Sequence, residues 1–259
     1  MAWSLPVCLI FVGLRHKYSG IKDLFKDRKR LILILLAAVL LSCNNLIYVL
    51  SIALNRMVEM SLGYFIQPLI TVILGIIFFK ERLNKIEGTA IGLAAVGVCI
   101  MIIRMGKLPW IALLSAVFLP VYCAVKRHAG VDGDVSVTME SIVVFPFFLI
   151  YALLGDFNGI GVASVLSGAQ LLVVPLAGLF SVLPVFLLSI GVNKVSFSTV
   201  GVLAYVSPTT QLLLGVLLYK EEFSAGHLLA FGFIWVGIIL FSVSNFKKAK
   251  NQSASVSLE

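Results

Sequence analysis

The sequence predicts an all-α polytopic membrane protein: two inverted five-helix repeats, nine spans visible, the first helix of the first repeat missing. Three observations predict it. The 259 residues are 60% apolar and only 12% charged, where soluble domains run near 45–50% and about 25%. The apolar residues fall in long runs divided by short polar breaks. The two halves of the chain repeat one another in their prolines, glycines and a Lys-Glu pair.

The runs cover 1–14, 31–54, 61–79, 88–103, 109–125, 137–155, 171–191, 199–219 and 226–246. A helix crossing about 30 Å of hydrocarbon needs roughly 20 residues. Lipid offers the backbone no partners, so a spanning segment must satisfy its own amides and carbonyls, and a helix does this. None of the runs alternates with the period of two that a membrane barrel requires. The run at 1–14 lacks a basic leader and a small-residue cleavage site, which argues against a signal peptide.

Orientation follows from the cations in the breaks. Arg15, Lys17, Lys22, Lys26, Arg28, Lys29 and Arg30 crowd one loop. Alternating sides along the chain puts Lys80, Arg82, Lys85, Lys126, Arg127, Lys194, Lys247, Lys248 and Lys250 on that same side. Sixteen of the twenty cations thus share one face, read as cytoplasmic, and Arg56, Arg104, Lys107 and Lys220 take the other. The net charge of +8 is then a topology signal, carried by solvated loop ends, and not a surface for nucleic acid. The expected location is a bacterial inner membrane, with residues 247–259 as a cytoplasmic tail.

A shift of 140 residues places Pro68 on Pro208, Gly75 on Gly215, Lys80-Glu81 on Lys220-Glu221, Gly92 on Gly232 and Gly97 on Gly237. Just upstream, a shift of 138 places Asn55 on Asn193 and Gly63 on Gly201. Ordered matches of Pro, Gly and Lys-Glu point to a duplication. The charge map sets Lys80-Glu81 inside and Lys220-Glu221 outside, so the repeats are inverted and each needs an odd number of helices. Residues 108–246 hold five spans and residues 1–107 hold four. The counterpart of the span at 109–125 would lie before Met1, so the chain is expected to lack that helix.

Several segments resemble the EamA domain of the drug/metabolite transporter superfamily, and within it the RarD group. They are Ser61-Leu62-Gly63-Tyr64-Phe65-Ile66, Pro68-Leu69, Lys80-Glu81-Arg82-Leu83-Asn84, Leu108-Pro109-Trp110-Ile111-Ala112-Leu113, Ser207-Pro208-Thr209 and Phe231-Gly232-Phe233-Ile234-Trp235. The resemblance spans essentially the whole chain. It departs from the RarD pattern at Gln67, where that pattern usually carries Asn, and at Asn45, where it carries Trp. It implies a transporter of small metabolites or drugs, working as an exporter.

Inverted-repeat transporters hold substrate near the midplane, beside interrupted helices. The matched prolines Pro68 and Pro208 are the predicted hinges, because each removes a backbone donor and crowds the preceding turn. Asn44, Asn45, Tyr48, Tyr64, Gln67, Tyr122, Tyr205 and Gln211 are the predicted lining of a polar cavity for a zwitterionic or amphipathic small molecule. The competing reading of each is interhelical hydrogen bonding, worth about 0.6 kcal/mol per contact. Glu140, an acidic residue within an apolar run, leaves two readings open. It either snorkels near its own helix N-terminus, or it is a titratable group that binds a proton or a cationic substrate group. The resemblance also expects Glu there. Gly88 and Gly92, extended by Gly97 and mirrored by Gly232 and Gly237, allow close helix packing, within the protomer or across a homodimer.

No phosphate loop, zinc motif or membrane-embedded nucleophile–base pair is present, so neither an ATP-driven pump nor an intramembrane enzyme is expected, and no cofactor or metal is called for. Cys8, Cys43, Cys99 and Cys123 sit in apolar runs at no metal or disulfide spacing and read as small hydrophobes. The other functional reading is a non-transporting membrane protein, a regulator or a decayed, truncated transporter.

Overall fold

A computed structural model describes residues 4–14, 18–54, 56–105, 109–157, 173–210 and 225–256. Among them the chain is helical without strands. The helices are α1 (Ser4–Leu14), α2 (Tyr18–Lys26), α3 (Arg28–Ala53), α4 (Met57–Phe79), α5 (Lys85–Met105), α6 (Trp110–Ala129), α7 (Gly133–Phe157), α8 (Val173–Val192), α9 (Phe197–Leu203) and α10 (Ala225–Val256). Arg28–Ala53, Leu62–Phe79, Lys85–Arg104 and Trp110–Ala129 are each long and apolar enough to cross a bilayer, and Gly178–Val192 and Leu229–Ser244 are shorter apolar helices. Large apolar side chains point outward along them, including Ile77, Phe78, Ile103 and Phe180, as lipid permits and water does not.

The expected basic loop at 15–30 is not simply a solvated connection. Part of it folds as α2, an amphipathic helix of about two and a half turns whose Leu24 is buried with Ile34, Val135 and Met139. Lys26 and Asp23 of α2 pair at 2.8 Å in the open. Asp27 then starts α3: its Oδ1 accepts the amides of Lys29 and Arg30 at 3.1 and 3.2 Å, supplying orphan donors of the first turn. At the other end of the chain, α10 continues past 246 to Val256, so most of the expected tail is helical.

The chain divides into two compact units, and each draws on both halves of the sequence. One comprises residues 1–43 and 122–195, the other 44–121 and 196–259, with boundaries that fall inside α3 and α6.

In the first unit, α6 ends on Gly130 in a left-handed conformation (φ 58°), which glycine adopts without steric cost. The short turn that follows is tied to the end of α8. Arg127 Nη1 donates to the Val195 carbonyl at 2.8 Å, and Asn193 Nδ2 donates to that of Val131 at 3.1 Å. Gly133 is needed where it stands, because a Cβ there would lie 2.8 Å from the Ile190 nitrogen. Residues 133–140, the first two turns of α7, are buried on every face.

In the second unit, α4 stops at Lys80, a non-glycine residue at φ 53° whose amide returns to the Gly75 carbonyl. The Glu81 carboxylate then accepts the Phe197 amide, the Ser198 amide at 2.9 Å and the Ser198 hydroxyl at 2.6 Å. The conspicuous Lys-Glu pair is thus a helix stop followed by a carboxylate that caps α9. Asn84 and Glu87 exchange bonds at the start of α5, Oδ1 taking the Glu87 amide at 2.8 Å and Oε2 the Asn84 amide at 2.9 Å, a reciprocal capping box. Ser244 of α10 accepts from Asn84 Nδ2 at 2.7 Å and donates to Glu87 Oε1 at 3.3 Å.

Helices α5 and α10 pack in intimate antiparallel contact. A Cβ on Gly97 would stand 2.5 Å from the Ala230 carbonyl oxygen, and a Cβ on Gly237 would stand 2.5 Å from that of Ala90. Gly88, Gly92 and Gly232 have nothing within 4 Å of such a Cβ. The expected glycine face is therefore split: Gly97 and Gly237 pack within the protomer, and Gly88, Gly92 and Gly232 leave open space.

The two predicted hinges behave differently. Helix α4 runs unbroken through Pro68. The expected span at 199–219 is interrupted instead: α9 ends at Leu203, Ala204 and Tyr205 form a turn, and residues 206–210 are helical again. The break falls three to four residues before Pro208, where proline crowds the preceding turn.

Candidate functional site

The buried first turns of α7 carry the site. Glu140 lies seven residues into α7, roughly 10 Å along its axis at 1.5 Å per residue. Its side chain is 4% exposed and that of Lys126, on α6, is 2% exposed, and Lys126 Nζ stands 2.8 Å from Glu140 Oε1. Ser136 Oγ, one turn earlier on α7, donates to the same oxygen at 2.8 Å. Tyr122 is fully buried; its hydroxyl donates to Glu140 Oε2 and accepts from Lys126 Nζ, both at 3.0 Å. Glu140, Lys126 and Tyr122 close a ring of charge-assisted hydrogen bonds, and Ser136 adds a further donor to the carboxylate. A charge stripped of water needs such partners, because the desolvation penalty is several kcal/mol per ion. The Glu140 carboxylate does not snorkel.

The spacing explains how the ring forms. Tyr122 and Lys126 are four residues apart on α6, and Ser136 and Glu140 four apart on α7, so each pair shares a face. The three-residue turn Gly130–Asp132 folds one helix back beside the other.

Glu140 also lines a cleft of about 530 Å³, counted with its open mouth, between α3, α7 and α8. Val137, Glu140, Ser141, Val144 and Phe145 present one face of α7 to it, at the spacing of a helical stripe. Ser42 of α3 and Ser181 of α8 add hydroxyls across from it. Cys8 Sγ lies 3.5 Å from Ser141 Oγ. The cleft offers an apolar wall, three serine hydroxyls and one carboxylate that is already paired.

The predicted cavity residues are dispersed. Tyr122 joins Glu140 directly. Gln67 is buried and its Nε2 donates to Ser115 Oγ at 3.1 Å and to the Ser115 carbonyl at 3.2 Å, tying α4 to α6. Tyr64 packs beside Ile47, Met60 and Ile111. Tyr48 is 39% exposed. Asn44 is buried and Asn45 half-buried on α3. Tyr205 and Pro68 do come together, with Ala90, Val202 and Gly237, along a small apolar crevice of about 250 Å³, counted with its open mouth. Among the described residues the Tyr205 hydroxyl finds no partner there. Gln211 and the pair Lys220-Glu221 lie outside the described residues. None of the seven predicted cavity residues that are described lines the larger cleft; Glu140 does.

Lys126 and the serines were missed. Lys126 reads in the sequence as one more loop cation, but it is buried inside α6. The available signal was its placement four residues after Tyr122, with a carboxylate just across a short turn.

The model of the EamA-like transporter family matches this chain twice, at residues 1–103 and 108–243. The chain belongs to the EamA-like transporter family. Among its EamA relatives, the "Uncharacterized transporter YojE" of Bacillus subtilis is 34% identical, over 95% of this chain and 83% of that protein. The "Protein RarD" of Escherichia coli is 29% identical, over 92% of this chain and 81% of its own length. A solved crystal structure aligns with a TM-score of 0.69 over 93% of this chain and 85% of that one at 17% identity, a likeness of fold. As an EamA protein the chain is a multi-pass membrane transporter.

Proposed function

We propose that this chain is a secondary-active transporter that exports small metabolites or drugs across the bacterial inner membrane, by alternating access between two inverted repeats. The observation that carries the reading is the reciprocal contact of α5 and α10. Ala90 meets Gly237, and Gly97 meets Ala230. Raising Ala90 by 140 and lowering Gly237 by 140 gives Ala230 and Gly97, so the 140-residue shift exchanges the two contacts, and the helices run antiparallel, as halves of inverted topology require. The double match of the family model, at 1–103 and 108–243, supports the same duplication. The sixteen-to-four split of cations supports a cytoplasmic C-terminus.

The cleft between α3, α7 and α8 is the proposed substrate cavity, and Glu140 the proposed coupling group. Lys126, Tyr122 and Ser136 hold its charge. A proton arriving at Glu140 would displace Lys126, so protonation and rearrangement of α6 against α7 are linked. The test is solute counterflow in proteoliposomes across a pH series, comparing the native chain with Glu140→Gln. Coupling through Glu140 predicts a pH dependence that flattens in the variant while the protein still inserts. An unchanged profile would leave Glu140 with a structural role.

A further inference from the structure

The chemistry of the cleft sets what it can hold, and this inference rests on the reading of that cleft as the substrate cavity. A lone carboxylate in an apolar pocket would select a cation. Here the carboxylate is not alone. Lys126 Nζ is 2.8 Å from Glu140 Oε1, both side chains are almost wholly buried, and the pair is electrically neutral. A ligand ammonium entering beside Glu140 would lose its water and meet a carboxylate whose field Lys126 already cancels. The desolvation penalty of an ion is recovered only against an uncompensated partner. An uncharged group loses much less on entry and can still be hydrogen-bonded.

The remaining polar groups suit such a ligand. Ser42, Ser141 and Ser181 line the cleft; the Ser42 hydroxyl donates to the Ala38 carbonyl at 2.7 Å and keeps its lone pairs for a donor from the ligand. Among the described residues Glu140 Oε1 takes two donors and Oε2 one. A carboxylate accepts about four, so Oε2 retains capacity for a donor from the ligand. Phe145, Val144 and Val185 supply the apolar wall.

We propose that Lys126 is a specificity-determining residue: by neutralising Glu140 it makes the cleft select uncharged amphipathic molecules bearing hydroxyl or amide donors, and exclude organic cations. Lys126 acts through Glu140 and is a positioning residue. Removing its charge while keeping a hydrogen-bonding side chain frees the carboxylate, and the cleft then accepts cations.

The experiment measures equilibrium binding of two labelled probes of one skeleton, uncharged N-acetylphenylalaninol and cationic phenylalaninol, to the purified full chain at pH 7. The native chain is expected to bind the uncharged probe about tenfold or more tighter than the cation, since every 1.4 kcal/mol is a factor of ten. Lys126→Gln is expected to reverse that order, and Lys126→Gln/Glu140→Gln to lose the gained cation binding. A gain of binding is not a consequence of misfolding, and the preference of the native chain is read without any variant. Equal or tighter binding of the cation by the native chain overturns the inference, as does binding of neither probe or an unchanged order in a folded Lys126→Gln. Counterflow separates this from the transport reading. Binding of the uncharged probe with no counterflow overturns transport and leaves the selectivity standing. Counterflow that prefers the cation does the reverse.

Discussion

Gly237 packs so closely on Ala90 that a Cβ on the glycine would stand 2.5 Å from the alanine carbonyl oxygen. Seven residues away along each helix, Gly97 and Ala230 repeat the relation at the same 2.5 Å. In both cases the obstacle is backbone, which cannot rotate away. Gly97→Ala and Gly237→Ala must therefore push α5 and α10 apart, at a cost of about 1–3 kcal/mol each. Gly232→Ala meets nothing within 4 Å and is expected to stay within about 0.5 kcal/mol of the native chain. Thermal unfolding of the three variants in one detergent checks this. Tm values for Gly97→Ala and Gly237→Ala no lower than that for Gly232→Ala would refute the close contact.

Glu81 holds the start of α9 through two amides and one hydroxyl. Glu81→Ala leaves those donors without their carboxylate and is expected to cost about 1–3 kcal/mol. Amide hydrogen exchange at Phe197 and Ser198 should accelerate in the variant relative to the helix interior at Gly201. Unaltered protection at both positions would show that the carboxylate is dispensable.

Breaking the pair of Lys126 and Glu140 from one side is worse than removing both charges. Glu140→Gln leaves the Lys126 ammonium buried without its counterion, a loss of about 3–5 kcal/mol. Lys126→Met/Glu140→Leu replaces the pair by apolar groups and is expected to recover most of it. Thermal stability of the single and double variants measures the coupling. A double variant less stable than either single one would contradict the pairing.

Much of this architecture could be read before any coordinates, because lipid makes spans long, helical and apolar. The start of α7 could not. Asp134, Ser136, Thr138 and Glu140 alternate with Val135, Val137 and Met139, so hydropathy placed the span at 137, four residues late. Three of those polar side chains find partners inside the fold: Thr138 donates to the Asp134 carbonyl at 2.7 Å, and Ser136 donates to Glu140. The same blindness hid Lys126, whose identity as a cation says nothing of its burial until α7 is folded beside it. Gln67 was chosen for its polarity, and polarity alone does not separate a cavity lining from a bond to Ser115. Pro68 and Pro208 match in sequence yet only the second accompanies a broken helix, since neighbours, not proline alone, decide whether a turn opens.

On the proposed topology the cation split predicts a cytoplasmic C-terminus and an external connection after α7. A phosphatase or fluorescent reporter joined after Lys248 should report cytoplasm, and one at Asn158 the exterior. Exchange of the two signals would overturn the cytoplasmic C-terminus, and the same signal at both sites would contradict the odd number of spans between them and with it the inverted repeat.

Alternating access makes one demand that a channel or a silent membrane protein does not share: solute loaded on one side must drive uptake of labelled solute from the other. Proteoliposomes carrying the purified chain, preloaded in turn with amino acids, aromatic metabolites, amphenicols and N-acetylphenylalaninol, measure this directly. The account predicts transient accumulation of label, dependent on the internal load, for at least one uncharged amphipath and abolished when the internal solute is omitted. Uptake that ignores the internal load, or that never exceeds empty liposomes for any member of the panel, would contradict it.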